Sequence, residues 1–315
     1  MNLPPLEGEV PEERSDEGDG GVFRAVSLGS MHIGVSIFPT DQTIQPVELA
    51  KVVEDLGFES LWFPEHSHIP VSRRTPRGGV EGADPLPDHY WRTHDQFVAL
   101  GAAAAVTSAL RLGTGITLVA QRDPIWLAKQ VASLDMISAG RVLFGIGYGW
   151  NKEEMAHHGT GYLDRRAILR ENILAMQALW TDDEASFDGE HVKFEPSWSW
   201  PKPVQQPYPP VILGGAAGPK TVAHIAEFCD GWMPIGGRHD LLGGITKVRE
   251  GLADAGRDPE SVEVGVFGAP RDQVELEQLA AAGVTRAVFG LPQTGREVVL
   301  QELEDLTAFI EMMGA

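Results

Sequence analysis

The feature that most constrains this chain is a regular alternation of short apolar segments with longer amphipathic ones from Met31 onward. The short segments are rich in branched and aromatic residues, which is typical of buried strands in a parallel sheet. They cover residues 32–38, 59–64, 111–120, 141–147, 209–215, 230–235, 261–268 and 285–291. Eight strands that alternate with helices predict an α/β fold, a closed (β/α)8 or TIM barrel, rather than an open doubly wound sheet.

The first 30 residues differ in composition from the rest of the chain. Residues 1–30 are rich in Glu, Asp, Gly and Pro and poor in large apolar residues, so we expect a disordered acidic N-terminal extension. The strand-like segment that begins at Met31 predicts the start of a single barrel domain, residues 31–315. The N-terminus has neither the basic nor the apolar region of a signal peptide, and Cys229 is the only cysteine. Both features favour a cytoplasmic protein.

The charge of the chain limits its partners. The formal net charge is −20 at pH 7, from 45 acidic and 25 basic residues. Nucleic acids and anionic membranes both attract basic surfaces, so this charge argues against either as a partner. The sequence contains no run of about 20 apolar residues, so it does not predict a membrane-spanning helix. A small molecule is therefore the expected partner, and an anionic one has to be held by local amides and cations against the overall field.

Three predicted connections are longer than those of a minimal barrel, and they cover residues 66–93, 150–164 and 181–208. Long loops in a compact domain are usually functional. The first two follow the carboxyl ends of strands, so we expect them as insertion loops at the C-terminal face, where the active sites of TIM barrels lie. The third contains FDGEHVKFEP, which predicts a small hairpin about the Asp188-Gly189 turn.

The stretch LWFPEHSH, residues 61–68, runs from a strand-like segment into a carboxylate and two imidazoles. In a barrel, Glu65 and His66 lie at the C-terminal mouth, beside any ligand bound there. Two other interpretations stay open: an ordinary structural histidine, or a metal-binding pair formed by His66 and His68. A metal site needs further ligands from later strands, but strands five to eight end in glycine, proline and apolar residues.

Two glycine-rich stretches also follow predicted strands. The first, GIGYGWN at residues 145–151, either lets a flat or anionic ligand approach the backbone or allows tight barrel packing. Its Trp150 excludes the G-x-G-x-x-G dinucleotide fingerprint. The second, ILGGAAGPKTV at residues 212–222, runs from a strand into a helix. Free amides at that helix start, with Lys220 in the first turn, predict a phosphate site.

Several motifs, in their order along the chain, give a resemblance to a known family: MHIGVSIF, ESLWFPEH, the block from Arg111 to Trp150, LWTDDEASFDGEHVKFE, and PVILGGAAGPKTVAHIAEFCDGW. From Met31 to its end, the sequence resembles the luciferase-like monooxygenase superfamily, in particular its coenzyme F420-dependent oxidoreductase branch. The block from Arg111 to Trp150 is the most specific part. The resemblance implies a (β/α)8 barrel with a flavin or deazaflavin ring at its C-terminal mouth.

The resemblance also implies a set of site residues. Glu65 and His66 match an acidic residue and a histidine near the reactive centre, and they are the candidate catalytic residues. Gly115-Ile116 matches a bulge in strand three, where related enzymes have a non-prolyl cis peptide bond behind the ring. The residues that match cofactor-binding loops are Gly147, Tyr148, Gly149 and Trp150 after strand four, and Gly214, Gly215, Ala216, Ala217, Gly218 and Lys220 after strand five.

In this interpretation the cofactor carries the hydride, and the protein supplies orientation, charge and proton transfer. The adjacent Glu65 is expected to favour the imidazolium form of His66 and to fix its ring, and either residue is a candidate general acid or base. Further candidates, each also explicable as a surface or helix-start residue, are Glu153, Glu154, Arg122 and Asp123. The loop after strand two either covers the substrate or an acidic cofactor tail, or is simply solvated; it carries Arg73, Arg74, Arg77, His89, Tyr90 and Trp91.

The resemblance therefore predicts an oxidoreductase that transfers a hydride between coenzyme F420 and a small organic substrate. The charge of −20 is unfavourable for the polyglutamate tail of that coenzyme. FMN is therefore the alternative cofactor, and an FMN-dependent monooxygenase the alternative function. A barrel that binds a flavin or deazaflavin without turnover, and a metal-dependent hydrolase, are the remaining alternatives. Family members often dimerise, so the resemblance also implies a homodimer.

Overall fold

The computed structural model describes residues 31–238 and 240–314, which form a closed barrel surrounded by helices. The predicted N-terminal extension, residues 1–30, lies outside the described residues. The strands are β1 (His32–Ser36), β2 (Ser60–Phe63), β3 (Arg111–Thr114), β4 (Val142–Ile146), β5 (Ala185–Asp188), β6 (Lys193–Ser197), β7 (Val211–Leu213), β8 (Gly231–Trp232), β9 (Glu263–Phe267) and β10 (Val284–Gly290). The helices are α1 (Pro46–Asp55), α2 (His89–Arg92), α3 (Gln96–Ala104), α4 (Pro124–Ile137), α5 (Lys152–His157), α6 (Arg165–Thr181), α7 (Pro219–Phe228), α8 (Leu241–Asp254), α9 (Gln273–Ala281) and α10 (Arg296–Met313).

Eight parallel strands close the barrel in the order β1-β10-β9-β8-β7-β4-β3-β2. Each is followed along the chain by at least one helix on the outside, which confirms the predicted (β/α)8 TIM barrel. The two remaining strands, β5 and β6, form a separate antiparallel hairpin. Its last strand pair is Asp188 with Lys193, so the predicted hairpin exists but turns through residues 189–192.

The apolar residues form two layers, as alternation along each barrel strand requires. The larger cluster lies between the strands and the outer helices and includes Leu61 and Phe63 of β2. The smaller cluster contains Trp62, which lies between them in sequence and therefore points to the opposite face, into the barrel. Trp62 is fully buried and meets Phe267 edge to face, with 6.3 Å between ring centroids. The barrel is therefore filled by side chains below its mouth.

A buried ion pair spans the place where the barrel closes. β1 pairs with β10 on one side and with β2 on the other. Arg286 of β10 donates to Glu59, just before β2, with 2.9 Å between Nη2 and Oε1, and its Nη1 lies 3.0 Å from Glu263 of β9. The Arg286 side chain is only 6% exposed. The first and last parts of the described chain are thus joined by charge as well as by backbone pairing.

The long connections lie at two ends of the barrel. The loop after β2 contains a single 3-10 turn (Arg77–Gly79) and α2, and the loop after β4 contains α5; both lie at the C-terminal mouth, as predicted. The third connection continues from the hairpin to the opposite end, where the Gln205 side chain donates to the carbonyl of Val142, the first residue of β4. Among the described residues, no helix is both long enough and apolar enough to cross a membrane.

Candidate active site

A cavity of about 390 Å³ opens at the carboxyl ends of the barrel strands. This volume lies in the range of small-molecule binding sites. Its apolar walls are formed by Phe38, Pro64, Tyr90, Ile116, Leu118, Tyr148, Trp150, Met233, Ile235 and Phe267. Glycine backbone completes the walls at Gly78, Gly115, Gly147, Gly149, Gly214 and Gly215, and the acidic and basic side chains are Glu65, His66 and Arg238. The site is an apolar slot with a few polar groups placed on it.

Glu65 does not hold His66. Its Oε2 accepts a hydrogen bond from the backbone N–H of Leu118 (2.6 Å), and its Oε1 accepts one from Nε of Arg122 (2.7 Å). Arg122 also lies 3.5 Å from Asp95, so the guanidinium is shared by two carboxylates. The expectation that Glu65 orients His66 was wrong, because both oxygens of Glu65 are bound by Leu118 and Arg122. Glu65 does line the cavity, and its buried side chain forms an ion pair with the partly exposed Arg122.

The partner of His66 is Glu154 on α5. Nδ1 of His66 lies 2.7 Å from Oε2 of Glu154, and the two side chains are 6% and 0% exposed. The other oxygen, Oε1, accepts a hydrogen bond of 3.1 Å from the backbone N–H of Ser67. Because a carboxylate only accepts, we assign a proton to Nδ1, which leaves Nε2 as the nitrogen available to a ligand.

Aromatic rings surround the imidazole. The ring centroid of His66 lies 5.2 Å from that of Tyr90 and 5.6 Å from that of Trp150. Tyr90 belongs to α2 in the loop after β2, and it also packs on Phe38 at 4.8 Å. This loop therefore contributes a wall of the cavity, and the low exposure of His66 follows from these contacts.

The end of β3 forms the floor beside this imidazole. The Gly115–Ile116 peptide bond is cis, as the resemblance implies, and both residues line the cavity. Ile116 packs against Gly147, where an added Cβ would lie only 2.6 Å from Cδ1 of Ile116. Gly147 is therefore needed for packing, and the flat surface that it leaves faces the cavity.

The loop after β4 turns sharply between two aromatic residues. Gly149 has a φ of +72°, a left-handed conformation that favours glycine. Tyr148 and Trp150, on either side of it, both line the cavity. The Tyr148 hydroxyl lies 2.9 Å from Nδ1 of His224 on α7, so this loop is tied to the neighbouring helix.

The six residues predicted as a phosphate loop after β7 fall into two groups, one that lines the cavity and one that lies outside it. Gly214 and Gly215 line the cavity. The other four lie beyond it: Ala216 and Ala217 in the loop, Gly218 at the N-cap of α7, and Lys220, which is exposed, in the first turn. A ligand that reaches the helix start therefore has to extend out of the cavity along the loop.

Arg166, at the start of α6, adds a positive charge that the sequence analysis did not identify. Its guanidinium carbon lies 4.1 Å from the ring centroid of Tyr148, and its Nη1 is 3.4 Å from the Thr221 hydroxyl in the first turn of α7. Burial lowers the pKa of His224, and Arg166, Arg170 and Lys220 lower it further against the opposing effect of Glu227. The region is therefore electropositive. The adjacent basic residues at the helix start were its only sequence signal.

Glu153, the other α5 candidate, holds the loop after β2 rather than a ligand. It accepts hydrogen bonds from the backbone N–H groups of Arg74 (2.9 Å) and Thr75 (3.2 Å), and from the Thr75 hydroxyl (2.7 Å). Although desolvation alone would raise it, these hydrogen bonds lower the pKa of Glu153 to about 2. Asp123 is likewise structural, because it caps α4 by accepting from the Trp126 N–H.

The other candidates from the loop after β2 have separate positions. Arg73 lies over the ring of Trp150, at 5.7 Å from its centroid. Arg77 forms an ion pair with Asp84. His89 packs on Phe38, and the side chain of Trp91 is about half exposed. None of these four side chains lines the cavity, in contrast to Tyr90.

The two histidines considered as a metal pair do not converge. His66 is bound to Glu154, whereas Nδ1 of His68 lies 2.9 Å from the Ser67 hydroxyl and its Nε2 lies 2.8 Å from His157. The described residues contain no group of three or more His, Cys, Asp or Glu side chains arranged to hold a metal ion. The geometry therefore gives no support to a metal-dependent hydrolase.

Comparison with known proteins identifies relatives that match most of the chain. A family model described as luciferase-like monooxygenase matches residues 31–282. An uncharacterized protein of Mycobacterium tuberculosis is 42% identical over 287 residues, which cover 90% of this chain and 98% of that protein. A 5,10-methylenetetrahydromethanopterin reductase of Methanolobus tindarius is 26% identical, with 83% of this chain and 73% of that protein covered. An F420-dependent hydroxymycolic acid dehydrogenase of M. tuberculosis is also 26% identical, with 71% and 57% covered.

Solved structures share the fold at low sequence identity. A monooxygenase from Streptomyces bottropensis superposes with a TM-score of 0.73 at 18% identity, covering 90% of this chain and 100% of that one. The coenzyme F420-dependent tetrahydromethanopterin reductase of Methanopyrus kandleri gives a TM-score of 0.70 at 19% identity, covering 91% and 100%. A type II Baeyer-Villiger monooxygenase from Pseudomonas putida in complex with FMN gives 0.57 at 17% identity, covering 76% and 68%.

Proposed function

Because the chain belongs to the luciferase-like monooxygenase family, we propose that it is an oxidoreductase that uses coenzyme F420 and moves a hydride between the deazaflavin ring and a small organic substrate. Two relatives at 26% identity support the reaction class, since one is an F420-dependent dehydrogenase and the other a reductase. The dehydrogenase also supports the coenzyme assignment, because its name includes F420.

The observation that carries the proposal is the His66–Glu154 pair beside an apolar slot. When a hydride leaves the carbon of an alcohol, a proton leaves its oxygen; reduction of a carbonyl reverses both transfers. An imidazole held at Nδ1 by a buried carboxylate presents Nε2 as the atom that accepts or donates this proton. We therefore propose an alcohol or a carbonyl compound as the substrate class, and His66 as the general acid or base.

The residues of the cavity fit a planar heterocycle with an anionic side chain. When bound, a deazaflavin supplies or accepts the hydride. The apolar side chains of Ile116 and Trp150 would contact its ring and exclude water, and the open backbone at Gly215, where an added Cβ meets nothing within 4 Å, leaves an exit for its side chain. The amides at the start of α7, together with Arg166 and Lys220, would hold its phosphate.

Glu65 has a different role in this proposal from the one expected from the sequence. Its carboxylate neutralises Arg122 and fixes the backbone N–H of Leu118, which lines the cavity. Its hydrogen-bond partners are a guanidinium, which keeps its protons, and a backbone amide, so Glu65 has no neighbour among them with which to exchange a proton. We propose that Glu65 stabilises the wall at the end of β3, while Glu154 acts on His66.

FMN is the alternative cofactor, with an FMN-dependent monooxygenase as the alternative function. The net charge of −20 favours it, because FMN lacks the acidic tail of coenzyme F420. The apolar slot suits the ring of either cofactor, and Arg166 and Lys220 suit the phosphate of either one. A protein that binds one of them without turnover is the non-catalytic alternative, and the same assay distinguishes all three.

A parallel titration of the full chain with oxidised F420 and with FMN tests the cofactor assignment. We expect saturable binding of F420, with FMN at least about tenfold weaker, a difference of about 1.4 kcal/mol. Secondary alcohols are then added without oxygen, and loss of the visible absorbance of the coenzyme reports its reduction. Binding of FMN without binding of F420 contradicts the proposal. Binding of F420 with no reduction by alcohols and no oxidation of reduced coenzyme by ketones or aldehydes supports the non-catalytic alternative.

His66→Ala tests the proton-transfer role. We expect turnover to fall about 100-fold or more, because positioned acid–base groups typically contribute that much, while coenzyme affinity changes little. His191→Ala, in the turn of the hairpin, is the matched control and should keep full turnover. Unchanged turnover in the His66 variant would remove this residue from the mechanism.

The volume of the cavity is large enough for a small molecule. The homodimer implied by the resemblance and the cytoplasmic location stay predictions. Sedimentation velocity of the purified full chain checks the first, with a species of twice the 34.2 kDa chain mass as the expected result.

A further inference from the structure

A chain of hydrogen-bonded side chains lies behind His66, on the side away from the cavity. Glu154, which holds Nδ1 of His66 at 2.7 Å, is fully buried. Its second oxygen faces Ser67, which follows His66 in the sequence and is exposed at the surface. The buried carboxylate is thus separated from solvent by a single residue.

Ser67 is the branching point of this chain. Its hydroxyl oxygen lies 3.4 Å from Oε1 of Glu154, 2.7 Å from Nε2 of His158 and 2.9 Å from Nδ1 of His68. Its backbone N–H donates to the same Glu154 oxygen at 3.1 Å, which keeps the carboxylate beside the hydroxyl. A hydroxyl donates one proton and accepts others, so it can receive a proton from one neighbour while giving its own to another.

The outer end of the chain consists of three histidines. Nε2 of His68 lies 2.8 Å from Nδ1 of His157, the two rings are stacked, and His157 and His158 are exposed. Desolvation, and then the proximity of His68, lower the pKa of His158 against the opposing effects of Glu154 and Glu65. A neutral imidazole has one donor and one acceptor nitrogen, so it takes a proton from Ser67 and releases one to water.

A second route for protons is needed when the cavity is filled. His66 is only 6% exposed, and its ring is enclosed by Tyr90, Trp150 and Glu154. A ligand in the slot covers Nε2, so water at the mouth no longer exchanges protons with the ring. The hydrogen bonds through Glu154 reach the surface behind this ring without crossing the cavity.

We propose that Ser67, with His158 and His68, relays protons between solvent and the His66–Glu154 pair while the cavity is occupied. This inference rests on the proposed function, in which His66 exchanges a proton with the substrate. When Nε2 takes a proton, Nδ1 gives its own to Glu154 Oε2. The protonated carboxyl group then rotates by half a turn, which brings its O–H to Ser67, and it gives that same proton to the Ser67 hydroxyl oxygen. Ser67 passes its hydroxyl proton to His158, and His158 releases one to water. After the product leaves, Nε2 loses its proton at the open mouth and the relay returns one to Nδ1.

Exchange of the His66 Nδ1 proton with water, measured by NMR on the full chain labelled with 15N-histidine, tests the relay without any substrate. Ser67→Thr and Ser67→Val form a matched pair, because the two side chains have the same shape and only the first keeps a hydroxyl. With F420 bound, we expect the threonine variant to exchange as the unmodified protein does and the valine variant to exchange at least about tenfold more slowly. The double variant His68→Gln with His158→Gln should also slow exchange, and His191→Gln should not.

Two results would overturn the relay. Exchange that is equally fast with threonine and valine at position 67 would show that the hydroxyl is not used. Exchange that is equally slow in both would show that only the placement of Glu154 matters. If F420 does not bind but the contrast between the two variants persists in the protein alone, the relay is supported and the coenzyme assignment fails.

Discussion

The hydrogen bond between His66 and Glu154 decides which imidazole nitrogen faces the cavity. A carboxylate accepts the Nδ1 proton and also supplies a counter-charge for the imidazolium form. Glu154→Gln keeps the size of the side chain but removes the charge, and its amide can donate as well as accept. We therefore expect a mixture of His66 tautomers, detected by 15N NMR of the histidine ring, and a fall in turnover of about 10- to 100-fold with coenzyme affinity retained.

Glu153→Gln is the matched control for this change, since Glu153 is the neighbouring carboxylate on α5 and contacts Arg74 and Thr75 instead of His66. It should leave the tautomer of His66 unchanged. A Glu154 variant with a single tautomer and full turnover would show that the hydrogen bond has no role in proton transfer.

Glu153 itself gives a prediction about the loop after β2. Its pKa is about 2 in the folded protein, below the ordinary value of 4.5, so its hydrogen bonds stabilise the fold above pH 4.5. That stabilisation is lost as the pH falls from about 4.5 towards 2. The difference in the free energy of unfolding between the unmodified protein and the Glu153→Gln variant should therefore be largest at neutral pH and decline below pH 4.5, as measured by urea denaturation.

Limited trypsin digestion at neutral pH checks the local part of this prediction. Arg73, Arg74 and Arg77 lie in the segment that Glu153 holds, so the glutamine variant should be cut there faster than the unmodified protein. Glu195→Gln, on the exposed hairpin strand β6, is the control and should not change the cutting rate. Equal rates in all three proteins would show that Glu153 does not order the loop.

The sequence predicted the position of the candidate catalytic residues better than it predicted their hydrogen-bond partners. His66 was expected at the mouth because it follows a strand, and it lies there. Its partner was expected to be the adjacent Glu65, but Glu154 is 88 positions away in the sequence. Only the packing of α5 against the end of β2 brings these groups together, and no local spacing encodes that packing.

The start of α6 and the start of α7 together form the expected anion site. Arg166 and Lys220 both contribute to the electropositive environment of His224, and Arg166 also contacts Thr221. Arg166→Gln removes a charge from this site without changing the cavity. We expect the affinity for F420, and for FMN if it binds, to fall about 5- to 50-fold, because a charge-assisted hydrogen bond contributes about 1–3 kcal/mol. Fluorescence titration of the coenzyme measures the change.

Arg170→Gln is the control for this prediction. It lies one turn farther along α6 and forms an ion pair with Glu227 of α7, with 2.7 Å between Nε and Oε2. Arg170 also lowers the pKa of His224, so the variant removes a comparable positive charge, but its guanidinium is bound to Glu227 and not to Thr221 at the helix start. Equal losses of affinity in the two variants would indicate a general charge effect instead of a phosphate site at α7.

The alternation of strands and helices was predictable because each element has its own apolar spacing. The details of the connections were not. The predicted strand at 111–120 ends at Thr114, and a 3-10 turn occupies Val119–Gln121. Helix α2 is only four residues long and has no buried residue, so it left no periodic pattern in the sequence. Even so, this helix supplies Tyr90 to the cavity.

The barrel as a whole closes through contacts between distant parts of the chain. The count of eight strands indicated closure, but the sequence did not show which contacts hold the seam, the place where β1 pairs with β10 and β2. Arg286 donates to Glu59 across a separation of 227 residues, and burial of this pair requires β1 to lie between β10 and β2. A charge pair of this kind has no signature in composition, since each of its residues is ordinary for the surface of a protein.

The same seam predicts how much of the chain the fold needs. The backbone N–H of Met31 donates to the carbonyl of Met313 at 3.1 Å, and β1 pairs with β10 from His32 and with β2 from Gly34. A chain that begins at Met31 therefore retains every barrel strand, the buried Arg286 ion pair and the cavity. We expect its melting temperature to lie within about 2 °C of that of the full chain, which corresponds to less than about 1 kcal/mol, and its coenzyme affinity to be unchanged.

Calorimetry and coenzyme titration of the two chains side by side measure both quantities. A second truncation that begins at Val35 is the comparison, because it removes the first half of β1 and with it the pairing of His32 with Arg286. This shorter chain should unfold at a markedly lower temperature or fail to fold, since the barrel then has an incomplete strand at its seam. A large loss of stability on removal of residues 1–30 alone would mean that the folded domain extends beyond the barrel, and the boundary at Met31 would be wrong.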